Sequence, residues 1–168
     1  MRKRTYSGVR GRGREASPTR FNVDNYSKNY YSHSNYTTGK FMKVFKTKWF
    51  SKWAIKNEVS DDSLVDAAFE VKENRYEANY GNGLIKKRVA NKNRGKSGSV
   101  RTLLAFKKGT DCFFVYGFEK SDKENISTNE EKALKIIANE LLTHSDRKLK
   151  ELISEKSLIE VRYEKKKK

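Results

Sequence analysis

The chain has 168 residues, enough for one domain with extensions, and its 38 Lys and Arg outnumber 21 Asp and Glu, giving a net charge of +17. That excess points to a polyanionic partner, nucleic acid first and an anionic membrane surface second. An apolar run long enough for a transmembrane helix is missing, as is a signal-peptide core behind the basic N-terminus; the single cysteine, Cys112, excludes an internal disulfide framework or a cysteine-cluster zinc site and fits a reducing cytoplasm.

Residues 1–41 carry nine Lys or Arg against Glu15 and Asp24, the only proline, Pro18, and few aliphatic side chains. Such a segment buries too little apolar surface to offset the entropy of ordering, so it is expected to be a disordered basic arm or an appended leader. Arg10, Arg12, Arg14, Tyr26, Tyr30 and Tyr31 are of the types that hold a phosphate backbone and stack on bases. Met42 opens "MKVFKTKWF", which reads as the start of a folded domain running to about residue 163. The four lysines at 165–168 read as a basic, solvated tail.

Alternation of Val44, Lys46 and Lys48 with Phe45, Thr47 and Trp49 predicts a first strand, and "SKWAIKN" a short helix after it. Ser60 is placed to cap a second helix, with Asp61 and Asp62 at its positive end and Leu64, Val65, Ala68 and Phe69 as its apolar stripe. "YGNG" signals a turn. Strands are expected over Leu84–Ala90, Val100–Lys107 and Cys112–Glu119, the last two joined by the hairpin-length loop "KKGTD". In the third of them Cys112 reads as a small buried side chain. Ser127 and Glu130 form a capping-box pattern ahead of a helix that turns Leu134, Ile137, Ala138, Leu141 and Leu142 inward. Another short helix is expected over Asp146–Ile153, and "LIEVRY" is either a last strand or an extended tail.

The stretch "RGKSGS" raises the question of a nucleotide phosphate loop. Gly95, Lys96 and Ser97 match the end of that motif, but the position five before Gly95 is Ala90, and the following "VRTLLAF" reads as a strand where the motif needs a helix. A basic loop between two antiparallel strands accounts for it better. By period two, Lys86 and Arg88 share one face of their strand, with Lys87 on the other. Arg101 is the one charge inside "VRTLLAF", and Lys120 follows "FFVYGF". If these strands pair, Lys86, Arg88, Arg101 and Lys120 converge on one sheet face with Arg94 and Lys96 at its rim. Arginine forks and lysine point charges in that arrangement suit a phosphodiester. A merely solvated basic face fits the spacing equally well.

The usual catalytic sets are missing. His33 and His144 lie in the arm and at a helix end, and Asp61, Asp62 and Asp66 read as caps and helix surface rather than a two-metal site. RNA, however, carries its own nucleophile. A protein need only orient the 2′-hydroxyl, take its proton, stabilise the extra phosphate charge and protonate the leaving 5′-oxygen. A lysine among other cations can act as a base, and arginine can hold the developing charge, with no metal or cofactor.

"MKVFKTKWFSKWA", "GLIKKRVA", "GKSGSVRTLLAF" and "CFFVYGFEKSDKENIS" followed by a helix occur in the order of the RelE/HigB group of type II toxins, and the chain resembles that group over about residues 42–161, most closely the HigB-like branch with a helical tail. The resemblance implies an α+β RelE-like fold: N-terminal helices on an antiparallel sheet, with a C-terminal helical extension. It implies an endoribonuclease (mRNA interferase) that cuts mRNA on the ribosome in the cytoplasm and is neutralised by an antitoxin, often a helix-turn-helix protein. Arg101 then matches the arginine of the family's Gly-x-x-Arg strand and contacts the scissile phosphate. Lys86 takes a proton-transfer or phosphate role, and Lys120 acts as acid or electrostatic stabiliser. Lys87, Arg88, Arg94 and Lys96 bind RNA. Some relatives place a tyrosine or histidine near the C-terminal end of the site, where this chain has "KSDKENIS", leaving the general acid open. The alternatives are a non-enzymatic nucleic-acid-binding module, which predicts salt-sensitive binding without cleavage, and a ParE-like gyrase inhibitor, which shares the fold but attacks another target.

Overall fold

The computed structural model describes residues 42–91 and 98–162. The expectations for the arm at 1–41, for Arg94 and Lys96, and for the lysine tail fall outside them. Strand β1 covers Val44–Thr47 and is followed at once by helix α1, Lys48–Lys56. The strand is therefore shorter than the alternation suggested, and Trp49 belongs to the helix. The switch is local chemistry: Thr47 in extended backbone accepts the amide of Phe50 on its side-chain oxygen at 3.1 Å, which caps the new helix. Helix α2, Asp61–Lys72, is capped by Ser60, which accepts from the Ser63 amide, and it buries Leu64, Val65, Ala68 and Phe69 as expected.

Strands β2 (Ala78–Gly81) and β3 (Leu84–Val89) form a hairpin. Strand β2 was not expected, because "ANYG" is short, polar and at the sheet edge. Its turn was: Asn82 and Gly83 have φ of +54° and +83°, both left-handed, the pattern that Asn-Gly favours in a two-residue hairpin. Strands β4 (Val100–Ala105) and β5 (Cys112–Phe118) follow, then helix α3 (Thr128–Thr143), helix α4 (Asp146–Ser154) and strand β6 (Leu158–Glu160). "LIEVRY" thus contributes a short edge strand. Helix α3 has the full capping box: Ser127 accepts from the Glu130 amide, and the Glu130 carboxylate accepts from the Ser127 amide.

The six strands lie in the order β2-β3-β4-β5-β1-β6. All neighbours are antiparallel except β1 with β5, so the fold is α+β with a mostly antiparallel sheet. Helices cover both faces. On one, α2 packs on β3, and α1 packs on β5. Gly117 makes room there: a Cβ on it would stand 2.3 Å from the Trp53 indole. On the other face α3 lays Leu134, Ala138 and Leu141 over Leu84, Leu103, Ala105, Phe113 and Phe45. Ile137 is a correction to the inward stripe. It flanks the buried row and stays 40% exposed, whereas Leu142 on the opposite flank is sheltered against Gly83.

Candidate functional site

The β3–β4 register sorts the basic residues. Cross-strand partners share a face. Arg88 stands opposite Arg101, which stands opposite Phe118 on β5. Lys86 stands opposite Leu103, which stands opposite Tyr116. Lys86, Arg88 and Arg101 therefore share the α3 face, toward the end of the sheet away from the Leu84–Ala105–Phe113 row. Arg88 is exposed, and Lys86 and Arg101 are half-buried. Among the described residues no carboxylate forms an ion pair with any of the three. The nearest acid by sequence pairing, Glu77, accepts the Arg88 backbone amide at 2.9 Å and 3.1 Å.

Lys87 is separated from this set. It points to the α2 face, is buried, and pairs with Glu70 at 3.5 Å. Thr102, fully buried on that side, donates its hydroxyl to the Lys87 carbonyl at 2.8 Å. Lys120 lies two residues past β5, exposed in a turn. Three cations on two strands are thus brought together, a fourth, Lys120, stands past the end of β5, and a fifth, Lys87, is withdrawn to the other face.

The structure adds residues that spacing did not single out. Tyr116 donates its hydroxyl to the Glu130 carboxylate at 2.8 Å, and Lys123 donates to both the Tyr116 oxygen (3.0 Å) and Glu130 (2.7 Å). The Lys123 ammonium also sits over the Tyr116 and Phe118 rings, 5.2 Å and 5.8 Å from their centroids. The bond to Lys123 first, and the cap amide of Ser127 next, hold the Glu130 carboxyl down at about 2. Glu130 in turn, with Tyr116 second, raises the Lys123 amine above its ordinary value. The second tryptophan-containing contact closes the cluster. Trp49 lies flat on Tyr116, with ring centroids 5.0 Å apart and planes 8° apart. "KSDKENIS" lacks a tyrosine, but the strand before it supplies one. Its signal was present in "FFVYGF": Tyr116 is the only hydroxyl-bearing residue of β5.

Other features lie apart from this cluster. A cavity of about 440 Å³ opens at the other end of β3 and β4, between Asn82, Gly83, Phe106 and Leu142. Cys112 is fully buried, and burial first and Asp111 second push its thiol up, away from reactivity. Among the described residues no group of three His, Cys, Asp or Glu side chains is placed to hold a metal ion, and no helix is long and apolar enough to cross a membrane.

Residues 42–161 match the family model of the RelE toxin of the RelE / RelB toxin-antitoxin system. The chain belongs to the RelE toxin family. It is a toxin of a toxin–antitoxin system, and RelE toxins pair with antitoxins. The match covers the whole described fold from β1 to β6, so the basic rows of β3 and β4 and the Tyr116 cluster all lie inside the RelE region. A search of curated proteins returned no match.

Proposed function

We propose that this RelE-family chain is an endoribonuclease that cuts mRNA on the ribosome in the cytoplasm, stops translation and growth, and is held in check by a cognate helix-turn-helix antitoxin. The observation that carries the reading is the Arg88–Arg101 pair. Like charges directly opposite one another destabilise a sheet, and a phosphate set between them reverses the sign of that term.

The reaction assigns each group a task. Arg88 and Arg101 hold the non-bridging oxygens of the scissile phosphate and the charge that grows on them. Lys86, one pleat repeat along β3, takes the proton of the 2′-hydroxyl as its oxygen bonds to phosphorus. The bond from phosphorus to the 5′-oxygen breaks, leaving a 2′,3′-cyclic phosphate and a 5′-hydroxyl. Tyr116 supplies the proton for that oxygen once its hydroxyl turns from Glu130, to which it donates at rest, and the charged Lys123, already bonded to the Tyr116 oxygen, stabilises the phenolate left behind. Lys120 adds positive charge at the end of β5. Arg94 and Lys96, which stand in the sequence between β3 and β4, add further RNA contacts. Lys87 is removed from the RNA-binding set, because its amine is spent on Glu70 inside the fold.

The test is 5′-end mapping of transcripts after brief induction, wild type against Arg101→Ala. New codon-phased ends that vanish in the variant are expected. Intact mRNA with growth arrest would move the assignment to a gyrase inhibitor, and intact mRNA without arrest to a non-catalytic nucleic-acid-binding module.

A further inference from the structure

Trp49 is half exposed, 50%, although it is the largest side-chain type and lies in the first turn of α1. One face of its indole is covered by the Tyr116 ring at 5.0 Å and 8°. With that face covered, the exposed half of Trp49 falls on the rest of the indole, its edges and its opposite face. Tyr116 is itself held from behind, because Glu130 and Lys123 both bond its hydroxyl. The indole plane is thus set by a fixed support rather than by its own rotamer preference.

We propose that the outer face of Trp49 is a stacking subsite for one base of single-stranded RNA, beside the phosphate held by Arg88 and Arg101. The inference rests on the reading of this face as an RNA-cutting surface. Position supports it: Tyr116 and Phe118 are two residues apart on β5, about 7 Å, and Phe118 is the register partner of Arg101. The Tyr116 and Phe118 rings lie 6.3 Å apart, so the aromatic row leads from Trp49 to the arginine row. Charge supports it as well. Helix α1 has no acidic residue, and Lys48, Lys52 and Lys56 are exposed at spacings of four. Lys48 adjoins Trp49, and Lys52 lies one turn on, so cations flank the ring where the phosphates of a stacked nucleotide would run. An apolar protein partner fits less well. Ile55, the other exposed apolar side chain of α1, is about 120° around the helix from Trp49, so the two make no continuous apolar patch.

The test measures binding without cleavage. The full chain is titrated into a labelled 2′-O-methyl oligoribonucleotide, which lacks the nucleophile, at fixed salt. Trp49→Ala, Trp49→Tyr and the wild type are compared by fluorescence anisotropy. One stacked base is worth about 1–3 kcal/mol, so Trp49→Ala is expected to weaken binding roughly 5- to 150-fold, with Trp49→Tyr near the wild type. On an oligomer of the same length without bases, the three proteins should bind alike. An alanine variant within twofold of the wild type on the base-bearing oligomer overturns the subsite. So does an equal penalty on the abasic oligomer, which would make Trp49 a structural prop for Tyr116. Failure of the cleavage reading shows itself separately, as unchanged transcript ends in the mapping experiment while this binding difference persists.

Discussion

Arg88 on β3 faces Arg101 on β4 in register across an antiparallel ladder. In an empty site such a pair opposes folding, by about 0.2–1 kcal/mol. Arg101→Gln keeps most of the aliphatic stem and removes the charge. It should leave the unfolding free energy unchanged or raise it by up to about that amount, seen as an unchanged or higher urea midpoint, while cleavage falls at least about 100-fold. A large loss of stability in this variant would show that Arg101 is a structural residue.

The neighbours Lys86 and Lys87 should separate just as cleanly. Lys87→Ala breaks a partly buried ion pair with Glu70 and removes a packed stem, so stability should drop by roughly 1–3 kcal/mol with cleavage per folded molecule retained. Lys86→Ala should change stability by less than about 0.5 kcal/mol and abolish cleavage. Chemical denaturation combined with toxicity at matched soluble level checks both.

Glu130 titrates at about 2 in the folded chain against an ordinary value of 4.5, with Lys123 the main cause. A carboxyl whose folded value is depressed stabilises above its unfolded value, and that contribution is lost as pH falls from about 4.5 through 2. The raised Lys123 value means its share persists through neutral pH and is lost only in strong base. Glu130→Gln should therefore be less stable than wild type at pH 7, with the gap closing by pH 2–3. The gap should be modest, because the two side chains remain 32% and 31% exposed.

Asp66 behaves in the opposite sense. Burial first, then Glu70 and Asp62, push its carboxyl up to about 7, and its Oδ1 is buried without a hydrogen bond among the described residues. An acid with a raised folded value binds its proton better folded than unfolded, so its ionisation costs stability as pH rises from 3.8 to about 7, and the cost is complete above that. Asp66→Asn should raise the urea midpoint at pH 8 and shift it little at pH 4. An equal shift at both pH values would sink this account.

Gly117 should not tolerate a side chain. A Cβ there meets three atoms of the Trp53 ring within 2.5 Å, so Gly117→Ala forces the indole away and should cost about 1–3 kcal/mol. A red shift in tryptophan emission alongside the lower denaturation midpoint is the expected signature.

What the sequence alone determined was local. Ser60 and Ser127 mark their helix starts because a cap is a bond between residues three apart, and Asn82–Gly83 marks its turn because few residues accept positive φ twice in succession. Period two placed Lys86 with Arg88 and against Lys87. Those readings need no distant partner. What only the tertiary structure decided was register and crossing contact. That Arg88 meets Arg101, and Lys86 the row of Tyr116, depends on how β3, β4 and β5 align, and a one-residue slip would have put each of them on the other face. The Trp49–Tyr116–Lys123–Glu130 cluster joins the start of α1, the end of β5, the loop after it and the first turn of α3. No spacing in the chain encodes that meeting. It arises because β1 stops at Thr47 while its parallel neighbour β5 runs on to Phe118, so the first turn of α1 comes to lie against the last residues of that strand.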